Sequence, residues 1–321
     1  MLSRKCRVTM LAVAALFAVQ ADAQGWVPPI EMADPGSHGY RVDTQGVIGN
    51  YLPAEGKGRK ATILLLGGSE GALGGGGLRM ATDLQAAGFN VLQLSYYRAP
   101  GQPTSFAQVP LETFDQGLAW LKRQPGVDPR RIGIIGGSKG AEAALIVASR
   151  HPEVRAVVAG MPSSYQWAAF SWDGTEIPGA SWSIAGKDVP FLPYGAFDQA
   201  QGMSSIYVNG LKAAEAHPDA AIRIERSRAK VLLVCGQVDA LWPSCPMSAM
   251  LKQRDPRVTV LSYADAGHAV FGPPLADDSK SLPLLATLGG SPQGNNAARK
   301  DSWPRVIAFL TSALKGKGGS R

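Results

Sequence analysis

Ile132-Gly133-Ile134-Ile135-Gly136-Gly137-Ser138-Lys139-Gly140, and the alanine-rich run that follows it to Ser149, decide the fold. Residues 131–135 read as a buried strand and residues 138–149 as a helix, which His151-Pro152 stops. A strand that runs straight into a helix forces a tight turn with strained dihedrals at the serine. Glycines two before and two after it let neighbouring backbone pass close by. The turn lifts the hydroxyl clear of the sheet, at the positive end of the helix. The plainer reading is a glycine-rich turn with an N-capping serine. The partners found elsewhere in the chain favour a nucleophile.

Working outward, strand and helix patterns alternate. Residues 61–66 are a nearly continuous apolar run closed by Gly67-Gly68, the mark of a strand buried on both faces. A glycine-rich segment follows, then a helix over 78–87 and a strand over 89–94. Leu111, Phe114, Leu118 and Leu121 recur at helical spacing, and Pro125-Gly126 ends that helix. Strands follow at 154–159, 231–234 and 258–263. Trp303, Ile307, Leu310 and Leu314 mark a terminal helix, with Pro304 expected in its first turn. Before all of these, residues 40–42 and 47–52 form a hairpin around Asp43-Thr44-Gln45-Gly46. The pattern predicts an α/β-hydrolase fold: a mostly parallel central sheet with helices on both faces. Residues 161–229 break the alternation and are rich in Trp, Tyr, Pro and Gly. They read as a cap-like insertion over the sheet edge, because strands resume after them.

A serine hydroxyl needs a base, and the base needs an orienting acid. In this fold they follow in the order serine, acid, histidine. Asp239 comes just after the strand at 231–234, and His268 just after the strand at 258–263. Both sit past strand C-terminal ends, where open α/β sheets gather their sites. His38 precedes the sheet, His151 ends a helix and His217 lies in a polar part of the insertion. Asp265 shares a turn with His268 and reads as a solvated carboxylate. The catalytic candidates are therefore Ser138, Asp239 and His268. A developing oxyanion needs two backbone donors. The amide of Lys139 is one candidate, and the amide of Ser69, in Gly67-Gly68-Ser69-Glu70-Gly71, is the other. Those glycines also invite a nucleotide-loop reading. No Gly-Lys-Ser/Thr follows them, and the chain has no Tyr-x-x-x-Lys. Four dispersed histidines without a His-x-x-x-His give no metal site, and no cofactor is expected.

The ends and the charge bound the setting. Arg4, Lys5 and Arg7 precede an apolar run over 8–19, and Ala21-Asp22-Ala23 closes it. This is the pattern of a secretory signal peptide cut after Ala23, so an exported, periplasmic or secreted protein is expected. Residues 24–39 then form an extended lead-in, residues 40–315 the hydrolase domain, and residues 316–321 a flexible tail. The net charge is +7 over 321 residues, with 45% apolar and 18% charged residues, a globular balance. The basic residues are scattered, which argues against a nucleic-acid partner. No stretch after the signal is long enough to span a bilayer. Cys235 and Cys245 flank the loop that carries Asp239. They form either a disulfide that stiffens the loop or two buried thiols, since sequence does not fix their separation.

Several blocks together resemble a known family. They are Gly67-Gly68-Ser69-Glu70-Gly71, Ser95-Tyr96-Tyr97-Arg98, the stretch 124–140, Pro162-Ser163-Ser164, Asp239-Ala240-Leu241-Trp242-Pro243 and Ala266-Gly267-His268. In one register over about residues 45–315, they resemble the catalytic domain of acyl-CoA thioesterases and bile acid-CoA:amino acid N-acyltransferases. The resemblance maps that family's serine, aspartate and histidine onto Ser138, Asp239 and His268. It implies an acyl ester or thioester as the small-molecule substrate. A serine nucleophile implies hydrolysis, since the amino-acid transferases of the family are known for cysteine. The same blocks put Tyr97, Ser163 and Trp242 forward as pocket residues. The N-terminal β-sandwich domain of the family's longer members has no counterpart before the first buried strand. An export signal points away from cytosolic CoA esters. A carboxylesterase resembling dienelactone hydrolase, a peptidase and a non-catalytic binding protein with the same fold are the alternatives.

Overall fold

The computed structural model describes residues 27–44 and 46–316. The expected signal peptide and nearly all of the expected tail lie outside the described residues. The strands of the main sheet are β1 (Tyr40–Thr44), β2 (Val47–Leu52), β3 (Lys60–Leu66), β4 (Asn90–Ser95), β5 (Val127–Gly137), β6 (Val154–Gly160), β7 (Lys230–Gly236) and β8 (Thr259–Tyr263). Their order across the sheet is β1-β2-β4-β3-β5-β6-β7-β8. The β1–β2 and β2–β4 pairs are antiparallel, and every other pair is parallel. The helices are α1 (Gly75–Ala86), α2 (Glu112–Arg123), α3 (Lys139–Arg150), α4 (Ser204–Leu211), α5 (Ser244–Arg254) and α6 (Pro292–Leu314). Among the described residues no helix is long and apolar enough to cross a membrane.

The continuous apolar strands are explained by what covers them. In β3, Ile63 and Leu65 face the α1–α6 side, while Leu64 and Leu66 face the α2–α3 side. Successive side chains alternate in direction, so a strand between two helical layers needs apolar residues at every position. Each such side chain, fully buried, stabilises the fold by about 1.5–3 kcal/mol relative to exposure. Helix α2 buries Phe114, Leu118 and Leu121 against the sheet. Gly117 lets it approach closely, because a Cβ there would lie 2.9 Å from Leu94 Cδ2.

The lead-in does more than arrive at β1. Ala33 N–H donates to Leu73 O, Leu73 N–H to Glu31 O, and Gly75 N–H to a Glu31 carboxylate oxygen, at 2.8–2.9 Å. It straps the glycine-rich segment before α1 and ends in the 3-10 turn Gly36–His38. The insertion leaves the sheet after β6 and returns at β7. Between them, several of its residues stand around Ser138, past the C-terminal end of the strand that leads to it.

The terminal helix departs from expectation. It begins at Pro292, not near Trp303, and Pro304 lies in its interior. Its first half is polar and reads as loop, yet Asn295 and Asn296 are buried there. Asn295 Oδ1 accepts from Gly267 N–H, and Asn296 Oδ1 from Leu275 N–H. Those bonds, not an apolar stripe, hold this part of the helix against the loop that carries His268. The proline of the first turn is Pro292, and Ser291 caps it by accepting from Gly294 N–H at 2.8 Å.

Candidate active site

Ser138 stands between β5 and α3 with φ 55° and ψ −123°, a left-handed conformation that a non-glycine residue holds only under tertiary constraint. Its N–H donates to Gly160 O. The flanking glycines are steric requirements. A Cβ at Gly136 would lie 2.1 Å from Gly140 O, and one at Gly140 would lie 2.1 Å from Gly67 O. Gly137 has ordinary space around it, so it is not required in the same way. The oxyanion loop passes close by: a Cβ at Gly68 would lie 3.3 Å from Ser138 Cβ.

The structure brings the three expected side chains together. His268 Nε2 lies 2.9 Å from Ser138 Oγ. His268 Nδ1 lies 3.0 and 3.1 Å from the two Asp239 carboxylate oxygens. Asp239 is held in turn by the N–H groups of Leu241 and Trp242. Asp239 and His268 are both nearly sealed from solvent, at 1% and 8% side-chain exposure. That leaves the imidazole one polar neighbour on each side, and the Trp242 ring packs edge-on against it at 5.7 Å. Asp265 is exposed and turned away, bonded to Ser291 Oγ. His151 bonds Asp115 and Glu153 on the outside of the fold.

Ser69 and Lys139 both line the cavity at Ser138. Lys139 opens α3, so its amide has no partner within the helix. Its side chain runs the other way and is buried. The ammonium donates to Glu142 Oε2 at 2.7 Å and to Ser181 Oγ at 3.0 Å, and lies over the Phe106 and Trp182 rings. Burial pushes this ammonium below its ordinary pKa, and the Glu142 carboxylate opposes that. Glu142 Oε1 accepts from Trp182 Nε1 at 2.7 Å. The helix of the nucleophile is thereby tied to the insertion by one buried polar cluster. A charged residue in the middle of an alanine-rich run, three residues after a lysine, was the available signal for it.

Of the three pocket candidates, only Trp242 lines the cavity. Tyr97 is fully buried in the core, where it packs against Phe106 and bonds Thr104 O. Its neighbour points to the site instead: Tyr96 Oη donates to Gly67 O at 2.6 Å and so supports the oxyanion loop. Ser163 is also fully buried. It accepts from Trp167 Nε1 and donates to Tyr165 O, satisfying a turn beneath the cavity. Sequence reasoning did not single out Glu70 either. Its side chain lines the cavity, accessible to solvent yet densely surrounded by protein. That desolvation raises its carboxyl pKa, against the N–H of Gly68 and the charges of His268 and Arg98. Cys235 and Cys245 are bridged, with Sγ–Sγ 2.07 Å and Cα–Cα 5.1 Å. The bridge joins the end of β7 to the first turn of α5, closing the loop that carries Asp239.

The cavity above the triad has a volume of about 920 Å³. Its roof comes from the insertion, including Phe170, Trp172, Phe191, Tyr194 and Tyr207. Trp172 Nε1 donates to Ser69 O at 2.9 Å, so roof and oxyanion loop are joined. Trp167 and Trp182 are fully buried and serve packing.

A family model described as "BAAT / Acyl-CoA thioester hydrolase C terminal" matches residues 109–316, well over half of the chain. The chain belongs to this family. Acyl-coenzyme A thioesterase 6 of Mus musculus is 28% identical over 293 residues, covering 84% of this chain and 64% of that protein. Bile acid-CoA:amino acid N-acyltransferase of Mus musculus is 27% identical, over 75% of this chain and 58% of that protein. The BAAT-family chain thus spans somewhat less than two thirds of the length of these relatives. Two solved structures share the fold. A putative dienelactone hydrolase from Klebsiella pneumoniae has a TM-score of 0.52 at 16% identity, covering 83% of this chain and 92% of its own. The acylaminoacyl peptidase of Pyrococcus horikoshii has a TM-score of 0.54 at 14% identity, covering 88% of this chain and 42% of its own. These likenesses establish the α/β-hydrolase fold that the strand order displays.

Proposed function

We propose that this BAAT-family chain is an exported serine hydrolase that cleaves an acyl thioester or ester through Ser138, His268 and Asp239. The observation that carries the reading is the unbroken path from Ser138 Oγ through both His268 nitrogens to the Asp239 carboxylate. His268 Nε2 takes the Ser138 proton as Oγ bonds to the acyl carbon. The carbonyl oxygen becomes an oxyanion, stabilised by the amides of Ser69 and Lys139. Asp239 holds the Nδ1 proton in place and stabilises the imidazolium. The tetrahedral species collapses as the bond from the acyl carbon to the leaving thiol or alcohol breaks, and His268 gives that group its proton. Water, deprotonated by His268, then attacks the acyl-enzyme. The acid leaves, and the proton returns to Ser138.

Family membership supports thioester chemistry, and the apolar roof suits an acyl chain. Ser138→Ala should lower turnover of a p-nitrophenyl ester by at least about 10³-fold without changing the thermal midpoint. Retained turnover would remove the mechanism. A panel of thioesters, oxygen esters and acylated peptides then ranks the substrate classes. The export reading is supported by the signal-like N-terminal sequence and by the Cys235–Cys245 bridge, since disulfides persist mainly in oxidising compartments. Mass spectrometry of the native protein should find a chain starting at Gln24 outside the cytoplasm. An intact N-terminus in the cytosolic fraction would reject export.

A further inference from the structure

Two guanidinium groups at the cavity are not used by the triad. Arg79 lies on α1, Arg299 on α6, and both line the cavity. Arg79 donates to Pro274 O, and Arg299 Nε donates to Ala269 O at 2.6 Å. Both therefore grip the loop that follows His268 from opposite helices. Neither has a carboxylate partner among the described residues. Arg79 is exposed at the cavity mouth and Arg299 is half-buried, so it is chiefly Arg299 whose charge is costly beside an apolar chamber. The cost is visible at Arg299, which burial, together with the charge of Arg79, pushes down to about 10. Bonds to the loop use only part of each guanidinium's five-donor fork, and such forks match carboxylate and phosphate oxygens. Two carboxylates also line the chamber, Glu70 and Glu176. Glu70 accepts from Gly68 N–H in the oxyanion loop and has no bond to either arginine among the described residues, and desolvation raises its carboxyl pKa. Glu176 stands on the insertion and has no bond to either arginine.

The geometry points to an anion subsite formed by Arg79 and Arg299, which takes a carboxylate or phosphate carried by the substrate while the acyl carbonyl lies at Ser138. The inference rests on the hydrolase reading for its substrate and adds to it that the preferred substrate is charged at a point remote from the reacting bond. The anion has two possible sources. One is an acyl chain ending in a carboxylate, and the other is a leaving group bearing phosphates.

The test uses the full chain and four substrates in two pairs: p-nitrophenyl hydrogen glutarate against p-nitrophenyl pentanoate, and butanoyl-coenzyme A against butanoyl-N-acetylcysteamine. Arg79→Gln should lower kcat/KM at least ten-fold for one or both anionic members and leave the neutral members within about two-fold. Loss confined to the glutarate ester assigns a carboxylate, and loss confined to the coenzyme A ester assigns phosphate. Arg79→Lys should recover part of the loss, and raised salt should reduce the wild-type preference. Equal loss on charged and neutral substrates, or no loss at all, would show that the arginines only brace the loop and would overturn the inference. Calorimetric titration of glutarate and of coenzyme A into Ser138→Ala, with and without Arg79→Gln, needs no turnover. It separates the two readings: an inactive wild type that still binds an anion through Arg79 rejects the hydrolase and keeps the subsite. No Arg79-dependent binding of either anion rejects the subsite.

Discussion

The turn at Gly136–Gly140 and the insertion over 161–229 meet across one cavity and are held by opposite kinds of constraint. The turn is fixed by backbone against backbone. Gly136 abuts Gly140, and Gly140 abuts Gly67, with no side chain able to give way. The insertion has only short strands, with Trp182–Ile184 pairing to Val109–Pro110 and Lys187–Asp188. Its position comes from side chains: Phe106 stacked on Phe170, Trp167 on Tyr194, and the buried Lys139–Glu142 cluster reaching to Trp182. Backbone sterics demand particular residues at fixed spacing. Aromatic packing accepts many solutions. The chemistry of the site is therefore local in sequence, while the shape that chooses a substrate is spread over many replaceable contacts.

The comparison is most severely tested at Gly140. Gly140→Ala puts a methyl group against Gly67 O and Leu66 O, at 2.1 and 2.7 Å in the present backbone. No rotamer relieves a Cβ clash, so the oxyanion loop must move. We expect a loss of more than about 4 kcal/mol in stability and a fall in kcat of about 10²–10³-fold, the worth of an oxyanion donor. Denaturant melts and ester kinetics check both. A variant within two-fold of wild type would mean that the turn is not sterically determined.

Lys139→Met probes the link between the two regions. It removes the cation but leaves Glu142 buried, with only indole and amide donors around it. Breaking a buried pair on one side costs about 3 kcal/mol or more. Lys139→Met with Glu142→Gln should recover part of that loss, because no unpaired charge remains. If the single variant is as stable as wild type, the cluster does not tie the insertion to α3.

This contrast also sets what the sequence could disclose. The strand positions, the serine turn and the Asp239 and His268 loops were legible because each rests on periodicity or on a glycine that backbone contact requires. Tyr96 and Tyr97 were not separable by type. Both are buried in one core and pack against Phe106, and only their hydrogen bonds show that Tyr96 Oη reaches Gly67 O while Tyr97 Oη reaches Thr104 O. The first half of α6 leaves no periodic mark because its buried groups are asparagines, which satisfy the backbone of the His268 loop at a distance of 21–28 residues. Hydropathy carries no trace of such pairing. The arginines at the cavity lie 220 residues apart in sequence, and nothing in either local stretch announces the other.

The mildest effect is expected within the insertion. Phe191 is half-buried in the roof, with one side on the core and the other toward the cavity. Phe191→Ala enlarges the chamber and withdraws apolar surface from an acyl chain, worth about 1 kcal/mol at partial contact. KM for a p-nitrophenyl octanoate should rise about five-fold, while kcat/KM for the acetate, too short to reach the roof, stays unchanged. The triad is not touched, so kcat should hold for both esters. An equal fall on acetate and octanoate would place Phe191 with the structural aromatics Trp167 and Trp182. A rise confined to the longer ester would show that the roof selects substrate through surface that the turn beneath it does not sense.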